Sequence, residues 1–226
     1  MKAMTSEQKD KMKEKTAKNT RNARSESIFE LAALGLLTAI CFIMCFTPIG
    51  YIKTPVLSIT LMTVPVIISA TVLKPRDSAI IGGIFGITSF IKTVTGAGGV
   101  MMAGLFQINP FLTFILCIVP RVLEGWLGGL IFQAVRKIDK TKFVSYIVAS
   151  LSVPVLNTLL FMSTLFIFFY NSEPIQNIAN AKGAGNVFAL FVAMVGIQAV
   201  VEAVVCCILG TAVSKALAVA LKKVKK

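Results

Sequence analysis

Histidine is absent from this chain of 226 residues. That absence weighs against imidazole acid–base chemistry and against most zinc and haem sites. Acidic side chains are scarce: 10 Asp+Glu stand against 23 Lys+Arg, a formal charge of +13, and only 15% of residues are charged. An ordinary soluble domain carries about 25%. There is no GxxxxGK[ST] stretch, so the chain holds no P-loop of its own. There is no GxSxG elbow, and no His-rich or paired-Asp motif for intramembrane proteolysis. No catalytic constellation emerges, and the chain does not read as an enzyme. No CxxC pair occurs either. The five cysteines (Cys41, Cys45, Cys117, Cys206 and Cys207) fall in apolar runs and read as reduced, buried, small apolar side chains. No metal or cofactor is expected.

What remains is apolar. Hydrophobic residues make up 56% of the chain, and its mean hydropathy is +0.82. That excludes wholesale disorder and leaves room for five to seven spans of roughly 20 apolar residues. In a soluble protein a charge of +13 would point to nucleic acid. Here the basic residues lie outside the apolar runs, so membrane topology accounts for them and no nucleic-acid partner is expected.

Residues 1–27 form a polar, basic tail, too long and too mixed in charge for a signal-peptide n-region. It reads as a solvated cytoplasmic segment, with contact to anionic lipid headgroups as the functional alternative. Residues 28–215 form the membrane domain, and residues 216–226 a basic cytoplasmic C-terminus. Charge-free stretches cover 31–52, 54–73, 78–91 and 93–120, the last broken by Gly96, Gly98, Gly99, Gly104 and Asn109-Pro110. The reading is an all-α integral membrane protein with six transmembrane helices, near 28–47, 56–73, 78–92, 111–135, 143–169 and 186–214. The third is short for a span. Residues 93–110 and 171–185 read as loops.

Orientation follows from Lys and Arg. Six spans put both termini on one side. That side collects eight basic residues in the tail, two at Lys74 and Arg76, four from Arg136 to Lys142 and five at the C-terminus, 19 in all. The other side has only Lys53, Lys92 and Lys182. Both termini are therefore expected in the cytoplasm. No internal repeat is evident, which weighs against an inverted-repeat carrier.

Intramembrane polar residues are costly and mark candidate sites. Arg121 lies roughly 15 Å into the fourth helix, near the midplane. Two readings stand: it is neutralised by Glu124, three residues on, or by a neighbouring helix, or it receives a ligand carboxylate through its bidentate fork. Asn157, close after Pro154, suits hydroxyl or amide groups, or bonds another helix. Gln107 and Asn109 precede the fourth helix and can roof a site that opens outward. Glu202 shares a face with Gln198 and reads as structural. Gly82, Gly83 and Gly86, and Gly125, Gly128 and Gly129, read as close helix packing.

Four stretches resemble a known family. They are Phe46-Thr-Pro-Ile-Gly-Tyr51 with Ile59-Thr-Leu-Met-Thr-Val-Pro65-Val-Ile-Ile68; Lys74-Pro-Arg76 leading to Gly82-Gly-Ile-Phe-Gly86-Ile-Thr-Ser89; Asn109-Pro110 with Val119-Pro-Arg121; and Asn157-Thr158. The sequence resembles the substrate-binding S components of energy-coupling factor (ECF) vitamin transporters, most of all the pantothenate type. The resemblance implies a multi-pass subunit of a prokaryotic cell membrane that binds a vitamin at its outer side. It also implies partners: a transmembrane T component and two ATPase subunits. The family's Ala-xxx-Ala contact for the T component corresponds to Gly35 and Ala39, with Gly in the first position. The resemblance also implies that loops at 47–56, 93–110 and 171–185 close the site and that helices four to six line it, in agreement with Arg121 and Asn157. The expected substrate contacts are Arg121, Asn157, Asn109, Gln107 and Tyr51. The alternatives are an S component for riboflavin or folate and a stand-alone carrier that works without ATPases.

Overall fold

The computed structural model describes residues 6–47, 50–53, 58–141 and 143–224. Residues 1–5, 48–49, 54–57, 142 and 225–226 lie outside that description, as does the Tyr51 side chain. The elements are α1 (Ser6–Phe46), β1 (Tyr51–Lys53), β2 (Ser58–Thr60), α2 (Thr63–Val72), α3 (Pro75–Val94), α4 (Val100–Ile108), α5 (Pro110–Ile138), α6 (Val144–Phe169), α7 (Glu173–Ala181) and α8 (Val187–Val224). Contacts divide the chain into residues 1–36 and residues 37–226. In the first unit the helix already begins at Ser6, inside the segment read as a solvated tail. The physical reason is local: residues 6–34 contain no Gly or Pro and are rich in Lys, Glu, Ala and Met, which are good helix formers.

Five helical stretches are long and apolar enough to cross a membrane: Ser27–Phe46, Pro75–Val94, Pro110–Ile138, Val144–Phe169 and Val187–Val219. Their outward faces stay apolar, with Ile87, Val119, Val155, Ile167, Ile197 and Val204 all exposed. An exterior as apolar as the core suits lipid rather than water.

The expected second helix differs most from the sequence reading. It begins at Thr63 rather than near 56 and has 10 residues, about 15 Å, half the hydrocarbon thickness. Before it, β1 and β2 pair antiparallel with Tyr51 opposite Thr60, and Leu61 N–H donates to Gly50 O at 3.0 Å. Pro65 fixes the helix start, because it has no N–H and fits only in a first turn. The third helix is correspondingly longer than expected, at 20 residues, because Pro75 starts it behind an extended Lys74. Both segments expected as loops contain nine-residue helices, α4 and α7. The last helix also runs past 214, to Val224.

Glycines bring α3 and α5 together. A Cβ on Gly82 would run into the Arg121 carbonyl, and one on Gly125 into that of Ser78. At Gly129 it would lie 2.9 Å from Pro75 Cα. The α5–α6 register is antiparallel: Arg121 faces Phe161, a Cβ on Gly128 would lie 2.6 Å from Val153 Cγ2, and the Phe132 and Tyr146 rings are 5.3 Å apart. Two apolar clusters flank the middle of this bundle. One joins Met102 and Leu105 of α4 and Ile175 and Ala179 of α7 to Leu116, Met162 and Leu190. The other, at the opposite end, holds Phe132, Tyr146 and Ala149.

At that second end Asp139 stops α5 and caps α6. Its Oδ2 accepts from Ser145 N–H at 2.8 Å, and its Oδ1 from Thr141 N–H at 2.9 Å and Thr141 Oγ1 at 2.7 Å. The Ser145 N–H, with Thr141 behind it, holds the carboxyl well below the usual carboxylate range. A depressed folded value contributes stability that is full above the unfolded pKa of about 3.9 and is lost as pH falls below it. Asp139→Asn should therefore lower the melting temperature at pH 7. The gap to wild type should close as pH falls below about 4 in detergent-phase melts; a gap independent of pH would assign the effect to packing instead.

Candidate functional site

Arg121 is 8% exposed, inside α5. Its position follows from the residue before it. Pro120 has no N–H, so the carbonyl of Leu116, four residues back, loses its helical donor. Arg121 Nη1 supplies one at 3.0 Å. The side chain thus reaches toward the helix N-terminus, the ordinary direction for a long helical side chain. There its guanidinium lies 4.6 Å from the Phe161 ring centroid and 5.4 Å from that of Phe85. Arg121 Nε is buried and has no hydrogen-bond partner among the described residues.

Of the two readings of Arg121, its pairing with Glu124 takes no hydrogen-bonded form among the described residues, although the two charges are within Coulombic reach. Glu124 is 0% exposed, and neither carboxylate oxygen has a hydrogen-bond partner among the described residues. Arg121 points one way along the helix and leaves Glu124 one turn behind. A carboxylate without a hydrogen bond in a low-dielectric interior is expensive. Across from it, Asn157 is half-buried on α6, and its Oδ1 is buried without a partner. On α8, Glu202 is buried and receives the Thr60 backbone N–H from the hairpin. One turn on, Cys206 Sγ sits 3.1 Å from Thr63 Oγ1.

The other expected contacts are more dispersed. Asn109 is the N-cap of α5: its Oδ1 accepts from Leu112 N–H at 3.1 Å, and its carbonyl from Thr113 Oγ1 at 2.9 Å. Gln107 is exposed on α4. Tyr51 lies in β1, its side chain outside the described residues. Gly35 and Ala39 are each exposed, and a Cβ on Gly35 would meet nothing within 4 Å. Sequence reasoning missed Phe85 and Phe161, the two rings around Arg121. Pro120, adjacent to Arg121, was the available signal for the freed carbonyl.

Fold and site together define a polytopic α-helical membrane protein that buries Arg121, Glu124 and Glu202 inside the bundle. Within that class, the family model for "ECF transporter, substrate-specific component" matches residues 29–214, and the chain belongs to that family. No individually curated protein matches it. The family is a transporter substrate-binding component, not an enzyme family. Among the described residues no group of three or more His, Cys, Asp or Glu is arranged to hold a metal ion.

Proposed function

We propose that this chain is the substrate-binding subunit of an ECF-type, ATP-driven vitamin uptake transporter, and that its cargo is pantothenate. The observation that carries the reading is Arg121, a buried guanidinium with an unpartnered Nε beside two aromatic rings. Pantothenate brings a carboxylate for that fork, and an amide and two hydroxyls for nearby polar groups. Asn157, Gln107, Asn109 and Tyr51 are the proposed neighbouring contacts.

The chain crosses the bilayer six times in this reading. Cys45, near the end of α1, bonds the carbonyl of Thr88 late in α3 at 3.6 Å, whereas Pro75, at the start of α3, packs on Gly129. The hairpin and α2 thus carry the chain from one level to the other and serve as the second crossing. Six crossings place both termini on one side, and the basic residues, 19 against 3, make that side the cytoplasm. The protein is then a multi-pass component of a prokaryotic cell membrane. Its binding domain covers residues 28–215 between basic cytoplasmic ends at 1–27 and 216–226. Its partners are the lipid bilayer, a transmembrane T component and two ATPase subunits. The T component docks at Gly35 and Ala39, where small residues permit close helix approach.

Uptake of radiolabelled pantothenate tests the whole reading. Cells expressing the chain alone should accumulate label at background level, and co-expression of T component and ATPases should restore uptake. Gly35→Leu should reduce co-purification of the T component and leave pantothenate binding within twofold of wild type. Full-rate uptake by the chain alone would establish a stand-alone carrier. Release of riboflavin or folate from the purified protein would change the cargo and keep the class.

A further inference from the structure

Three acceptor oxygens without donors lie one helical turn from Arg121. Two belong to Glu124 and the third is Asn157 Oδ1. The α5–α6 register places these side chains opposite each other. Glu124 falls between Arg121, which faces Phe161, and Gly128, which meets Val153. Asn157 falls midway between Phe161 and Val153, four residues from each, on the same stripe of α6. Both Arg121 and, more weakly, Glu202 of α8 are within Coulombic reach of Glu124. Donors are on the other side of the turn, where Arg121 Nε is buried and unpartnered.

The bundle interior is thus split into a donor end and an acceptor end, separated by three residues of helix, about 4.5 Å. Buried acceptor oxygens without donors are costly, and a donor group of a ligand entering this level would relieve that cost. A buried carboxylate with no bond is costly enough in a membrane interior to mark a functional group. Glu202 differs from Glu124 because the Thr60 N–H already bonds it. That bond ties the hairpin to the acceptor level.

We propose that Glu124 and Asn157 form a second subsite that receives hydrogen-bond donor groups of the ligand, with Glu202 supporting it, while Arg121 receives the anionic end. The ligand class is a small anionic molecule: a carboxylate at one end, and hydroxyl groups one helical turn deeper. The proposal rests on the ligand-binding reading of Arg121 and assigns to Glu124 the selection of hydroxyls over bare alkyl groups. Glu124 is then a specificity determinant.

The test is calorimetric titration of the purified full-length protein with three probes. These are pantothenate, its analogue with both hydroxyls replaced by hydrogen, and pantothenol, which keeps the hydroxyls and lacks the carboxylate. Wild type should bind pantothenate at least tenfold more tightly than either analogue. Glu124→Gln, nearly isosteric, should weaken pantothenate binding at least tenfold and leave the hydroxyl-free analogue within twofold. Arg121→Lys should weaken pantothenate and leave pantothenol within twofold. Glu124→Asp keeps the charge on a shorter arm and should fall between wild type and Glu124→Gln, with melting temperatures confirming folded protein. Equal weakening of pantothenate and its hydroxyl-free analogue by Glu124→Gln, or no weakening of either, overturns the subsite and leaves the Arg121 reading standing. Failure of wild type to bind pantothenate overturns the cargo assignment and this subsite with it.

Discussion

Arg121→Ala should reduce the affinity for pantothenate by about 100-fold or more, because truncating one side of a buried, hydrogen-bonded charge pair typically costs 2–5 kcal/mol. Arg121→Lys keeps the charge but loses the planar fork and the fit between the Phe85 and Phe161 rings, so a loss of about tenfold is expected. Arg121 also donates to the Leu116 carbonyl, so the alanine variant loses a bond that compensates for Pro120. A fall in melting temperature will accompany the fall in affinity. The two effects separate on the lysine variant and on pantothenol, which has no carboxylate to lose. Titration calorimetry on wild type and both variants measures them. Unchanged affinity in Arg121→Ala would make the guanidinium a packing element of α5 and remove the carboxylate assignment.

How much of this was legible follows from what each residue could signal alone. The long helices were readable because runs such as 31–52 lack any charge, and Asn109-Pro110 marked the start of α5 as an N-cap followed by a proline. The hairpin was not readable. Residues 50–62 lie within the same apolar composition as their neighbours, and a short apolar stretch does not separate strand from helix by periodicity. α4 and α7 were missed because nine residues among glycines and asparagines carry too few turns to show a period. Arg121 stood out as a lone charge in a helix, and Asn157 as a lone amide. That Arg121 turns away from Glu124 depends on Pro120 freeing a carbonyl on the opposite side, and no spacing rule for i, i+3 pairs contains that competition. That Glu124 and Asn157 fall at one level depends on the α5–α6 register, marked by Gly128 against Val153 on helices whose pairing no local spacing shows.

The same dependence on helix approach makes Gly82 a position where the fold admits no side chain. Gly82→Val should leave little monodisperse protein, because a Cβ there runs into the backbone carbonyl of Arg121, which has no rotamer with which to yield. Overpacking against side chains costs about 1–3 kcal/mol. Against backbone the two helices must separate, and the neighbouring contacts at Gly86, where a Cβ would lie 2.8 Å from the Cys117 carbonyl, and at Gly129 open with them. Gly83 supplies the control. Its Cβ would lie 3.4 Å from Val122 Cγ2, the end of a side chain, so Gly83→Val should fold and melt within a few degrees of wild type. Size-exclusion profiles and melting curves of the two variants measure the difference, and equal stability would mean that α3 and α5 do not approach through Gly82. Gly82→Ala brings the same Cβ without further bulk, and the protein that folds should bind pantothenate more weakly than Gly83→Ala does. The atom displaced is the carbonyl of Arg121 itself, and moving that backbone moves the guanidinium relative to Phe85 and Phe161. The glycine stripe would then act both as helix packing and as the support that holds the arginine in place.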